Sequence, residues 1–125
     1  MCVRRDAEAQ RARIRNHCVE IAELLGIESP VNDSDIVLTD DFLAPGYGMT
    51  NPPTLEAMNL AARMEGLIVD PTYTAKSLAG FVHLARISGA APGRHMLYIH
   101  TGGQPAIFAS EPKLTKYFRD ENPLT

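Results

Sequence analysis

The sequence predicts an α/β fold built from part of an open parallel sheet, and three observations predict it. Apolar residues recur at helical spacing in three separate segments of the 125-residue chain. A later segment, "MLYI" at 96–99, is instead a continuous apolar run, the signature of a strand covered on both faces inside a parallel sheet. The third observation is a shortage. A buried strand needs neighbours on both edges, and besides that run only two short stretches, near Val3 and at Ile36 to Leu38, are β-prone, so three short strands and three amphipathic helices make a poor complete doubly wound domain. The sheet is therefore expected to be completed by another chain or by further sequence of the same protein. The opening "MCVRRDAEAQ" reads as the end of a strand entering a helix, which favours further sequence.

Taken in order, the first helix runs from about Asp6 to Leu25 and stops at Gly26, which tolerates the left-handed dihedrals of a helix C-terminus. Its apolar stripe is Ile14, Cys18, Ile21, Ala22 and Leu25. "IESPVNDSD" is a loop, and "TDDFLAPGYGMTNPP" after the Ile36 run is irregular chain of the kind that lines sites, since it holds an aromatic between glycines. Thr54 caps a second helix with the face Leu55, Met58, Ala61 and Ala62, ending at Glu65-Gly66. Asp70-Pro71 marks a turn, and Thr72 or Thr74 caps a third helix with the stripe Leu78, Phe81, Val82 and Ala85. "GAAPG" at 89–93 is a turn before the strand "HMLYIHT". Pro105 opens a short helix behind Gly102 and Gly103. Those two glycines serve either as punctuation or to let the backbone approach a ligand closely. Residues 1–110 form one unit, and 111–125, "EPKLTKYFRDENPLT", a polar, half-ordered tail.

Composition excludes several function classes. No apolar run approaches the roughly 20 residues needed to cross a bilayer, and the charged N-terminus has no signal-peptide core, so a cytoplasmic location is expected and no membrane partner. A net charge of −3 and a pI near 5.7 give no global reason to bind nucleic acid. The arginines of "VRRDAEAQRARIR" read as a solvated helix face. Two cysteines at no ligand spacing suggest neither a disulfide framework nor a metal site; Cys18 reads as core and Cys2 as uninformative. His17, His83 and His95 have no metal-ligand pattern, and His100 reads as a strand-end histidine bonded to backbone rather than a general base.

Three segments in order, "APGYG", "EAMNLAARMEGLIVDPTYTAKSLAGFVHLAR" and "LYIHTGGQPAIFA", resemble the C-terminal portion of the D-cysteine desulfhydrase and 1-aminocyclopropane-1-carboxylate deaminase family, pyridoxal-phosphate enzymes of the tryptophan-synthase-β fold type. The resemblance runs from the first helix to about Ala109. It implies that Tyr47 of "GYG" is a catalytic tyrosine on the substrate side of the cofactor. It further implies that Tyr73 of "DPTYT", also catalytic, lies against the pyridine ring, and that Thr101 sits at the ring-nitrogen edge with Gly102 behind it. Thr74 and Thr101 match the desulfhydrase pattern, where the deaminases resemble "DPVYEGK" and "HLGG". A hydroxyl cannot supply the negative charge that holds a pyridinium and deepens the electron sink. A weaker sink suffices when a β-leaving group such as sulfide departs at once. Ala75 and Ser110 depart from the family pattern, which commonly has glycine and an aromatic there.

The same resemblance places the family's Schiff-base lysine and its phosphate-binding loop upstream of the first helix. Lys76 resembles a family lysine with a different role, and Lys113 and Lys116 lie in the tail. The expected function is a lyase portion resembling D-cysteine desulfhydrase, acting on a small amino acid and inactive alone. The remaining N-terminal portion is a candidate partner chain, and intact members are expected to be homo-oligomers. The deaminase is the nearest alternative, and a non-catalytic interaction module is one of a different class.

Overall fold

The computed structural model describes residues 2, 4, 6–89, 93 and 95–121. The β-prone stretch near Val3 and the middle of the "GAAPG" turn lie outside them. Helix α1 spans Ala7–Leu25, α2 Pro52–Glu65, α3 Thr74–Ser88, α4 Ala106–Ala109 and α5 Glu111–Lys116, with a π turn over Tyr117–Glu121.

The caps explain these limits. Asp6 accepts from the Ala9 amide at 2.8 Å at the start of α1, and Gly26 ends the helix at φ 67°. For α2 the cap is Asn51 rather than Thr54: its side chain accepts from the Thr54 amide at 2.9 Å. Pro52 and Pro53 then occupy the first helical positions, where a missing N–H costs nothing. Thr54, the expected cap, is instead a buried residue inside the helix.

The core is the α2–α3 interface. Ala57, Met58 and Ala61 meet Ala75, Leu78 and Ala79, closed by Val69 and Leu114. Small residues on both helices let the backbones approach closely. Leu114 brings α5 into this core, so the segment expected to be a half-ordered tail is helical as far as it is described and contributes a buried leucine. The stripe of α1 behaves differently. Only Ala22 is buried, while Ile21 and Leu25 face solvent beside a shallow apolar groove closed by Ile27, Pro30 and Val31. Cys18, expected in the core, is only half-buried, while Cys2 is buried; burial pushes the Cys2 thiol pKa up.

No strand is assigned among the described residues. The backbone is irregular rather than helical over 95–100, and Tyr98 faces the core while Leu97 and Ile99 are 82% and 71% exposed. The expected two-sided burial of "MLYI" is thus one-sided here. The Ile36 to Thr39 stretch meets Cys2 instead, whose amide donates to the Thr39 carbonyl at 2.7 Å. The α/β expectation accordingly reduces to a helical layer with non-helical segments beside it. No described helix is long and apolar enough to cross a membrane.

Two arginines of α1 have internal work. Arg11 donates to the carbonyls of Asp33 and Ile36, at 3.0 and 2.5 Å, and Arg15 makes a two-pronged ion pair with Asp33. They pin the 33–36 turn to α1.

Candidate active site

The turn before α3 is organised by one carboxylate. Asp70 is fully buried and accepts from the amides of Thr72, Tyr73 and Thr74 at 2.8–2.9 Å and from the Thr74 hydroxyl at 2.7 Å. It does the capping expected of Thr72 or Thr74, because a carboxylate at the start of a helix satisfies several free amides at once. Thr74 Oγ1 also accepts from the Asp70 amide at 2.8 Å. Its side chain is spent on this knot and only 1% exposed, so Thr74 does not reach the cleft surface as a specificity residue in contact with substrate would.

The same carboxylate explains half of the "TGG" turn. A Cβ on Gly103 would lie 2.5 Å from Asp70 Oδ1, and Gly103 sits at φ 91°. Asp70 by itself requires glycine at 103, because it occupies the space a side chain would need. A Cβ on Gly102, at φ 93°, would meet only Gln104 Oε1 at 3.9 Å. Its requirement is backbone conformation, and it leaves open space at its α-carbon.

A cleft of about 480 Å³ lies where these pieces meet, lined by Tyr73, Ser77, Tyr98, Ile99, Thr101, Gly102 and Gly103. That volume is within the usual range for small-molecule sites. Tyr73 enters from the turn before α3, and its hydroxyl is hydrogen-bonded to that of Tyr47, with the rings 5.7 Å apart at 60°. That bond pushes the Tyr73 phenol pKa up. The Arg4 guanidinium lies 5.5 Å from the centre of the Tyr47 ring. Tyr98, also in the lining, donates to the Thr74 carbonyl at 2.8 Å and meets Ser77 Oγ at 3.0 Å; burial raises its phenol pKa as well.

Tyr47, Tyr73, Thr101 and Gly102 are therefore brought together, and Thr74 stands behind them. Sequence reasoning missed Ser77 and Tyr98. Ser77 falls one helical turn after Tyr73, on the same face, and Tyr98 is the single hydroxyl inside "MLYI", so both left a signal. His100 accepts from the Gly102 amide at Nδ1 and bonds the Ile68 carbonyl through Nε2, each at 3.0 Å. It braces the turn through backbone. Among the described residues no group of three or more His, Cys, Asp or Glu could hold a metal. A second hollow of about 380 Å³, lined by Met58, Leu67, Ile107 and Phe118 among others, contains none of the predicted site residues.

The cleft is rimmed by hydroxyls, its Tyr73 is paired with Tyr47, and its volume suits a small molecule. Comparison with known proteins sharpens this. The chain is 42% identical over 112 residues to the D-cysteine desulfhydrase of Yersinia enterocolitica, covering 90% of this chain and 33% of the relative. It is 40% identical over 119 residues to the 1-aminocyclopropane-1-carboxylate deaminase of Burkholderia vietnamiensis, covering 92% and 34%. A probable 1-aminocyclopropane-1-carboxylate deaminase of Schizosaccharomyces pombe is 38% identical over 102 residues, covering 82% and 30%. No protein-family model matches the chain. The chain belongs to the D-cysteine desulfhydrase and 1-aminocyclopropane-1-carboxylate deaminase family, corresponds to a C-terminal portion of its members, and spans about a third of the length of the curated relatives it matches.

Proposed function

We propose that this chain forms the tyrosine and threonine wall of a pyridoxal-phosphate site in an enzyme that, with water, converts D-cysteine to pyruvate, sulfide and ammonia. The observation that carries the reading is the convergence of Tyr73, Thr101 and Gly102 on one cleft of about 480 Å³, with Tyr47 bonded to Tyr73 beside it, in a chain 42% identical to a D-cysteine desulfhydrase.

The lining suits the ring of the cofactor but not its phosphate. Four hydroxyls, on Tyr73, Ser77, Tyr98 and Thr101, and the open face of Gly102 surround the cleft, and among the described residues no cationic side chain lines it. Lys76, the lysine nearest in sequence, is buried with its ammonium bound to the Leu43 and Gly46 carbonyls. It does not serve for covalent attachment, which needs a lysine free over the ring. When bound, pyridoxal phosphate supplies the electron sink for bond cleavage. Tyr73 would help hold the cofactor's ring, and it holds a proton at its hydroxyl, shared with Tyr47. Thr101 offers a neutral hydroxyl to the ring-nitrogen edge. Thr74 acts on specificity through Asp70, by shaping the turn that carries Tyr73.

The deaminase is the second reading, since relatives of both names match at 38–42% identity; Thr74 and Thr101 favour the desulfhydrase. The test pairs the 125-residue chain with a second chain carrying the part of the Yersinia enterocolitica relative that it does not match. Pyridoxal phosphate is added, and turnover of D-cysteine and of 1-aminocyclopropane-1-carboxylate is compared. Sulfide and pyruvate from D-cysteine are expected from the pair. From this chain alone, no turnover and no lysine adduct after borohydride are expected. Exclusive use of the cyclopropane amino acid by the pair overturns the desulfhydrase assignment; a borohydride adduct on Lys76 overturns the reading of that lysine.

A further inference from the structure

Lys76 is in the first turn of α3 and is 0% exposed. Its Nζ donates to the carbonyl oxygens of Leu43 at 2.7 Å and Gly46 at 2.8 Å, and it takes part in none of the ion pairs among the described residues. Desolvation lowers its pKa. A buried cation without a carboxylate is costly, and a leucine or methionine would fill the same volume without that cost. What an apolar side chain could not do is gather two carbonyls, three residues apart, at one point. Those carbonyls belong to the "LAPG" loop, and Tyr47 is the next residue. At the other end of the same helical turn, Tyr73 precedes Lys76 by three positions, a spacing that places both on one face. Asn51 adds a second tether, donating to the Ala44 carbonyl at 2.5 Å, but it anchors the loop to α2 rather than to the element that bears Tyr73.

We propose that Lys76 is a positioning residue for the tyrosine pair: its ammonium clamps the Leu43–Gly46 loop to the first turn of α3, so that the Tyr47 hydroxyl meets the Tyr73 hydroxyl. Its functional weight rests on the reading of that pair as part of the site, but the contact is testable without cofactor or substrate. Failure of cofactor binding or turnover would therefore leave this result standing.

The experiment follows the phenol titrations of the full 125-residue chain by NMR of tyrosine labelled at the ring carbon bearing the hydroxyl, with resonances assigned by Tyr→Phe variants. In the parent, Tyr73 titrates above the ordinary phenol value of 10.0 because of its bond to Tyr47, and Tyr98 does so because it is buried. Lys76→Met is expected to bring Tyr73 down toward 10.0 as Tyr47→Phe does, with no further fall in the double variant, while Tyr98 keeps its raised value. An unchanged Tyr73 in folded Lys76→Met overturns the proposal. If both tyrosines revert together the variant has lost its fold, and the decision passes to amine acylation of the parent mapped by mass spectrometry. There Lys76 is expected to react much more slowly than exposed Lys113, and its modification to release Tyr73. Equal rates for the two lysines, or a Tyr73 titration indifferent to Lys76 modification, overturn it.

Discussion

Replacing Gly103 by alanine tests the contact between the "TGG" turn and the Asp70 turn before α3. The new Cβ would stand 2.5 Å from Asp70 Oδ1 and 2.9 Å from its Cγ, closer than any real carbon approaches, and Asp70 has no room to retreat because it is fully buried. Moving the carboxylate loosens its bonds to the Thr72, Tyr73 and Thr74 amides, and a hydrogen bond to a charged group is worth about 1.5–3 kcal/mol. The positive φ of 91° adds a backbone cost on the order of 1–2 kcal/mol for any L-residue. Gly102→Ala carries the backbone cost alone, since its φ is 93° and its Cβ would meet nothing closer than 3.9 Å. The difference between the two variants therefore isolates the Asp70 contact at about 2 kcal/mol, roughly a thirtyfold change in a local opening equilibrium. Amide hydrogen exchange across 72–74 reads that equilibrium directly. Gly103→Ala should accelerate these amides about thirtyfold more than Gly102→Ala. Equal acceleration in both variants would refute the argument that Asp70 dictates the second glycine.

Two further outcomes are expected. Tyr98 has a phenol held above its ordinary value by burial, so its contribution to stability is complete below about pH 10 and disappears as pH rises through the raised folded value. Urea midpoints of the parent and of Tyr98→Phe, compared between about pH 9 and about pH 11, should converge with rising pH; comparing the two cancels Tyr73, which acts with the same sign, and Lys76, which acts with the opposite one. A gap that stays constant would show that Tyr98 ionises as freely folded as unfolded. Leu114→Ala should cost about 2–3 kcal/mol in urea unfolding, as for a buried leucine; a loss below about 0.5 kcal/mol, the level of a surface change, would mean that α5 does not pack on the α2–α3 core.

Most of the helical layer was legible in the sequence. The starts and stops of α1, α2 and α3 are set by groups within three or four residues of the helix end: Asp6 and Gly26, Asn51 and Gly66, Asp70 and Gly89. Even where the wrong capping residue was expected, as with Thr54, the boundary moved by only three positions, because Asn51 caps the free amide of Thr54 and the two prolines before it fit the first helical positions. The stripe of α1 shows the limit of periodicity. It states which face is apolar, but not what covers that face, and here Ile21 and Leu25 remain exposed.

By itself the sequence determined the helices, the family through its three ordered segments, and the identity of Tyr47, Tyr73 and Thr101 as residues of interest. All of these are recorded in local spacing or in motif. Only the tertiary structure decided that Gly103 answers to Asp70, that Lys76 is tied to the carbonyls of Leu43 and Gly46, that Cys2 rather than Cys18 is buried, and that Leu114 closes the core. Each of these depends on residues some thirty or more positions apart in the chain, or on the packing of whole elements. A helix period repeats every 3.6 residues and leaves a trace in composition. A contact across thirty residues is set by the path of the chain, and no local pattern records it.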